Sequence, residues 1–291
     1  MSLPKVTLAL CLSIITIFVS FPASAQTNVK QLADGVFHIW LDHYSSLVVI
    51  GENSILINDP ANTERAKKLK AEIQKLSHKP VQTIVLSHEH YDHVGGSEVF
   101  EDAEIVCHRN CESVFQLDES NMAPAKVDTN YSDFLEIDLG TAKVNLHHVG
   151  AADGTATTLI HLPEQGIVAS ADMYEPKELT HELFMDDVNY LGVRRLLQKA
   201  VDLNPKHAIN AHSPGTDPID LIEGLKFVND LYTQTKPVLY KTLQEGGFPG
   251  LMQAMPTLHK RIDMSKYQEW KNYEHLPTHV RRMALSIFHG G

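Results

Sequence analysis

The sequence contains no Gly-x-Ser-x-Gly elbow, no Walker-type phosphate loop and no Gly-x-Gly-x-x-Gly fingerprint. Serine-nucleophile, nucleotidase and dehydrogenase chemistries therefore have no anchor in it. It also lacks a basic excess, with 25 Lys and Arg against 36 Asp and Glu and a formal net charge of −11. Such a balance repels phosphate backbones and argues against a nucleic-acid partner. Low-complexity tracts and short-period repeats are absent, and 43% hydrophobic residues suffice to bury a core rather than leave the chain disordered. Cysteine is scarce, at three residues.

One long apolar run is present, at the N-terminus. After Lys5 the chain is apolar from Val6 to Phe21 and then reads Ala23-Ser24-Ala25, the small-x-small pattern of a leader cleavage site. The run is shorter than the roughly 20 residues a membrane-spanning helix needs. Residues 1–25 are thus expected to be a signal peptide, the mature chain to start near Gln26, and the product to be periplasmic or secreted without a stable membrane anchor. Cys11 follows the bulky Leu10 inside the apolar run and does not suit lipidation. Cys107 and Cys111 survive processing; in an oxidising compartment they can pair across a short loop at Arg109-Asn110, or remain two thiols.

The spacing of apolar residues predicts strands at Val36–Trp40, Ser46–Ile50 and Ser54–Asn58. It then predicts a helix carrying Ala66, Leu69, Ile73 and Leu76 behind a capping Asn62 or Thr63, and a buried strand at Val81–Leu86. The second half repeats the plan: strands at Ala142–His148, Thr157–Leu162 and Ile167–Ser170, a helix around Val193–Leu203, and a strand at Ala208–Asn210. Alternation of this kind means α/β layers. Beyond Pro218 only helical patterns are read, including one from Ser265 to Phe288. The chain is accordingly divided into 1–25, a domain over 26–218 and a helical C-terminal extension over 219–291, which can cover a site or mediate homo-oligomerisation. Within it, the three-residue spacing of Trp270, Tyr273 and Leu276 reads as a packing face.

The densest chemistry lies in His88-Glu89-His90-Tyr91-Asp92-His93, directly after a predicted strand. His88 and His90, two apart on an extended chain, project to one side and can share a cation, while Asp92 and His93 can turn toward a second. Gly95-Gly96 lets the chain tighten close to the site. This segment resembles the His-x-His-x-Asp-His signature of the metallo-β-lactamase superfamily. Asn58-Asp59-Pro60, Ala171-Asp172 and Ala211-His212-Ser213 resemble its other motifs in the same order, over roughly residues 35 to 216. The resemblance implies a four-layer αββα sandwich and zinc as cofactor, two ions per chain, with iron or a single metal as alternatives. It places His88 and His90 at the first metal, Asp92, His93 and His212 at the second, and Asp172 between them. Where the family has a third histidine, this chain has Asp153 in Gly150-Ala151-Ala152-Asp153-Gly154-Thr155. A carboxylate there favours harder ions; His147 or His148 is the alternative ligand.

The implied reaction is attack of a metal-activated hydroxide, hydrogen-bonded to Asp92 or Asp172, on an acyl carbon of a small molecule. The aspartate at 172 resembles the glyoxalase II and lactonase branches, which points to an ester, thioester or lactone. Glu175 stands where β-lactamases of this group place a lysine that grips the drug carboxylate. A β-lactamase, a mono-iron oxidoreductase and a scaffold that has lost catalysis through Asp153 are the competing readings. Tyr91 and Tyr174 can donate to a developing oxyanion or simply pack, and His181, in the loop from Asp172 to Asp187, can touch substrate. The remaining histidines are read as surface or satisfied core residues.

Overall fold

The computed structural model describes residues 27–170 and 172–290. The expected leader lies outside the described residues, as does Ala171. Seven strands form a first sheet with neighbours in chain order: β1 (Asn28–Ala33), β2 (Val36–Leu41), β3 (Tyr44–Ile50), β4 (Ile55–Asn58), β5 (Val81–Val85), β6 (Glu104–His108) and β7 (Thr129–Tyr131). Five more form a second sheet, also sequential: β8 (Phe134–Asp138), β9 (Lys143–His148), β10 (Thr158–Leu162), β11 (Ile167–Ser170) and β12 (His207–Asn210).

Strand alternation builds the layers. Leu47 and Val49 of β3, Leu56 of β4 and Val85 of β5 face Ile160, Leu162, Ile167, Ala169 and Ile209 of the second sheet in one apolar cluster. The opposite faces, Val48, Ile55, Ile57 and Ile84, pack with Ala66, Leu69 and Ile73 of helix α1 (Thr63–Leu76), whose N-terminus the Asn62 side chain caps by accepting from the Arg65 amide. Short helices α2 (Tyr91–Val94) and α3 (Cys111–Phe115) follow on that side of the chain. On the far side, Leu159, Val168 and Ala208 meet α4 (Tyr190–Asp202), α5 (Pro218–Ala254) and α6 (Leu276–His289). Helix, sheet, sheet and helices form the four-layer αββα sandwich.

Both halves begin as an antiparallel meander and turn parallel at a crossover, β4–α1–β5 in the first, where β6 and β7 continue parallel, and β11–α4–β12 in the second. All the candidate metal-binding segments except the Asp153 loop lie at the carboxyl ends of these four strands. The sheets are also tied together there, by Ser45 N–H to the Ala211 carbonyl (2.7 Å) and Thr158 N–H to the Ser87 carbonyl (2.7 Å).

One expectation needs correction. Residues 265–288 are not one helix: short 3-10 turns at Ser265–Tyr267 and Tyr273–His275 precede α6, and Asn272 between them is left-handed at φ 58°. The helix α5 is also broken, at Gly247 (φ 60°, ψ −159°), where extended backbone interrupts the helical one. The cysteines are joined: Cys107 is the last residue but one of β6, Cys111 opens α3, and their α-carbons stand 6.3 Å apart across the Arg109-Asn110 turn.

Candidate metal centre

The loop after β5 is fixed by Asp59, which sits just past β4 with φ 41°. Its carboxylate accepts from the Ser87 amide (2.9 Å) and the Ser87 hydroxyl (2.6 Å). The same hydroxyl meets His88 Nδ1 at 3.1 Å, so His88 Nε2 is the nitrogen left to face the site. His90 is extended and caps α2, taking the amides of His93 and Val94 on its carbonyl, which places Asp92 and His93 in the first helical turn. Gly95-Gly96 then passes α1 so closely that a Cβ on Gly96 would stand 2.5 Å from Asn62 backbone atoms.

Two donor groups result: His88, His90, Asp153 and Asp172, and beside them Asp92, His93 and His212, the ligand atoms of each group within 4.8 Å of one another. Asp172 links the two, its carboxylate 3.2 Å from His93 Nε2 and 3.1 Å from His212 Nε2. His212 points Nε2 inward because its Nδ1 bonds the His43 carbonyl (3.2 Å), and His90 offers Nδ1 because its Nε2 is held by Asp187 (2.6 Å).

The residues fit a divalent cation. His88 Nε2, both ring nitrogens of His93 and Asp172 Oδ1 are buried and make no hydrogen bond, a cost that coordination would remove. Burial, with Asp172 close by, pushes the Asp153 carboxyl well above its ordinary range. Burial opposes ionising Asp172 too, but His93 and His212 outweigh it and hold that carboxyl well below the usual value. His88 is pushed well down by burial and by neighbouring His93 and His90. Imidazoles and carboxylates crowded this way, with nothing else to satisfy them, are a cation's donor set.

Asp153 is delivered by a loop anchored on Glu89. The buried Glu89 carboxylate accepts from the Thr155 amide (2.5 Å), the Thr155 hydroxyl (2.7 Å) and the Ala156 amide (3.0 Å). Gly154 turns at φ 71° against that carboxylate, and a Cβ there would lie 2.8 Å from it. Neither His147 nor His148 joins the donor groups. His148 stacks on His108 (3.8 Å) with Nδ1 on the Thr157 carbonyl, and His147 lies against Phe134 (5.2 Å). Their strand delivers both rings elsewhere.

A family model described as the metallo-β-lactamase superfamily matches residues 38–212, a stretch that holds every donor named above. The chain belongs to the metallo-β-lactamase superfamily. Its fold is similar to that of a metallo-β-lactamase from Pontibacter korlensis, with TM-score 0.60 and 17% identity over 70% of this chain and 100% of that one. It is likewise similar to FIM-1 from Pseudomonas aeruginosa in its mono-zinc form, with TM-score 0.60 and 16% identity over 72% and 97% of the two chains. Among curated proteins, the chain is 24% identical over 253 residues to the beta subunit of 2,4-dinitroanisole O-demethylase from Nocardioides sp. (strain JS1661). That match spans 85% of this chain and 76% of the relative.

In this metallo-β-lactamase-fold chain, His90, Asp92, Asp153, Asp172 and His212 open onto a cavity of about 520 Å³, with His88 and His93 buried behind them. Tyr174 and His181 both line it, the first buried and the second exposed. Tyr91 does not line it: its hydroxyl donates to the Val114 carbonyl (3.2 Å), so the expected substrate contact is corrected to a packing role. Glu175 lines the cavity, and burial pushes its carboxyl up to about 7. Three lining residues escaped the sequence reading. Tyr44 donates to Asp92 (3.2 Å) and is pushed up to about 12 by burial and that carboxylate. Asp187 orients His90, and Trp270 packs on Phe227. Only Asp187 had a sequence hint, as the end of the loop from Asp172.

Proposed function

We propose that the chain is an exported metallohydrolase that opens an ester, thioester or lactone bond, with two zinc ions per chain. The observation that carries this reading is the convergence of seven imidazole and carboxylate donors from distant segments, five of them lining one open cavity. His88, His90 and Asp153 would hold one ion, Asp92, His93 and His212 the other, and Asp172 would stand between. When bound, such metals supply Lewis acidity, polarising an acyl oxygen and bringing the pKa of water to about 7. Asp92, 55% exposed to the cavity and steadied by the Tyr44 hydroxyl, takes the proton from the attacking water and returns one to the leaving group. Asp187 and the His43 carbonyl fix which nitrogens of His90 and His212 face inward. Export rests on residues 1–25.

Metal analysis of the mature protein, paired with turnover on an aryl ester, a lactone, a thioester and a β-lactam, tests the reading. Two zinc ions with ester or lactone hydrolysis are expected, and Asp153→His should retain turnover and sharpen preference for zinc over harder ions. Tight metal without turnover, or one iron per chain with oxygen uptake, would overturn it. The O-demethylase relative favours a second reading, cleavage of an aryl methyl ether at the same site. Methanol release without oxygen consumption from such an ether would support it.

A further inference from the structure

The cavity extends away from the histidines into a half that acyl chemistry alone does not require. Its volume of about 520 Å³ lies in the range that encloses a drug-sized molecule. One wall is aromatic: Phe227 and Trp270 lie 5.3 Å apart with planes 32° from parallel, and Tyr174 packs on α5 at Gly224, where a Cβ would come within 2.8 Å of it. At the rim, on the turn Glu182–Phe184, Leu183 and Phe184 are 76% and 69% exposed. Two large apolar side chains left in water at a cavity mouth gain by covering an apolar ligand.

The charge of the lining is equally one-sided. Among the described residues no lysine or arginine lines the cavity, whereas Glu175, Glu178, Asp186 and Asp187 do, in addition to the carboxylates of the metal centre. Two cations behind the lining are already engaged by lining residues: Lys271 pairs with Glu178 (2.7 Å), and the Arg282 guanidinium donates to the Val188 carbonyl (3.0 Å). Cations at the metal end would answer the donors that hold them, and beside the aromatic wall the positive charge of Lys271, next to Trp270, is already matched by Glu178.

We infer that the cleft selects an uncharged, ring-bearing substrate. The ring lies against Phe227 and Trp270, the bond to be broken faces Asp92 and Asp172, and a carboxylate or phosphate on the ring is refused. Placement of the scissile bond rests on the hydrolytic reading above; the preference for a neutral ring does not. The test uses the metal-loaded chain in two parallel measurements. One compares kcat/KM for 2-naphthyl acetate, its 6-carboxy analogue and ethyl acetate. The other measures calorimetric binding of 2-naphthol and 6-hydroxy-2-naphthoate, which have no acyl bond to break.

The neutral ring should be preferred to its carboxylate by about tenfold or more in both measurements. Phe184→Ala, at an exposed position that folding does not need, and Trp270→Ala should each reduce the naphthyl preference over ethyl several-fold. Glu175→Lys should narrow the gap between neutral and carboxylate ligands. Equal binding of naphthol and naphthoate, no binding of either, or an unchanged ring preference in both Phe184→Ala and Trp270→Ala would overturn the inference. Naphthol binding without turnover of any ester defeats the hydrolytic reading and leaves this one standing. Ester turnover without ring or charge discrimination does the reverse.

Discussion

Two histidine-rich regions of this molecule behave in opposite ways. His88, His90, His93 and His212 share their space with Asp92, Asp153 and Asp172, and several of their ring nitrogens are buried without a hydrogen bond. His108 and His148 instead lie face to face at 3.8 Å, with His108 Nδ1 accepting from the Asn110 amide and His148 Nδ1 on the Thr157 carbonyl. Neither forms an ion pair among the described residues, and burial together with His148 lowers His108 to about 4. Histidine density alone does not mark a metal centre. The distinction lies in the company: carboxylates within ion-pair distance and nitrogens left with nothing to bind in the first region, stacked rings with hydrogen-bonded Nδ1 atoms in the second.

The comparison can be broken most directly at Asp172. Asp172→Ala should cost more than about 100-fold in both metal affinity and turnover, beyond the 10–100-fold typical of an outer partner, because it removes the carboxylate shared by both donor groups. His148→Gln should leave metal stoichiometry unchanged; equal losses in the two variants would erase the distinction.

A second contrast concerns protons. His279 is buried between the Tyr190 hydroxyl at Nδ1 and the Thr180 carbonyl at Nε2, and burial lowers it from 6.5 to about 4. Between those values the unfolded chain binds the proton and the folded one does not, so stability rises with pH through the window and is lost as pH falls toward 4. The shift corresponds to about 3 kcal/mol. Denaturant titrations at pH 4.0, 5.0 and 7.0 should show this slope diminished in His279→Gln, and an unchanged slope would assign the acid sensitivity elsewhere.

The smallest expected effect sharpens the first region from outside. Asp187→Ala should weaken metal binding by about 10–100-fold, measured by competition with a chelator, because His90 loses the partner that turns Nδ1 inward. Asp187→Asn, which can still accept a hydrogen bond, should fall between it and the unaltered chain.

Legibility in the sequence followed the same physical divide. Continuous apolar strands such as β4 and β11, buried on both faces, announce themselves by composition, the amphipathic α1 by period, and the donors of the six-residue motif by density. Of the strands that escaped, β1 lies at a sheet edge with mostly exposed side chains, β7 has three residues and β8 leaves Phe134 half in water, whereas β6 is buried but carries only three apolar residues, Ile105 to Cys107, between Glu104 and His108. Without one-sided burial a strand writes no alternation. Trp270 and Tyr273 kept a helical spacing although a left-handed Asn272 divides them, since three-residue spacing also suits consecutive 3-10 turns. Tyr44, Asp187 and Trp270 reach the cavity from segments remote from the motifs. Such residues become visible only when the chain is folded, because nothing in their local sequence requires the contact.

Arg65 lies fully buried on α1, behind the Asp59 turn. Its guanidinium gathers the carbonyls of Leu41, Tyr44, Asp59 and Pro60 and the Ser46 hydroxyl, at 2.9 to 3.3 Å. A permanent organic cation thus moulds the turn behind the donor loop, because Asp59 in turn grips Ser87 beside His88. A loop already held by the chain's own bonds would need less ordering when a cation binds in front of it.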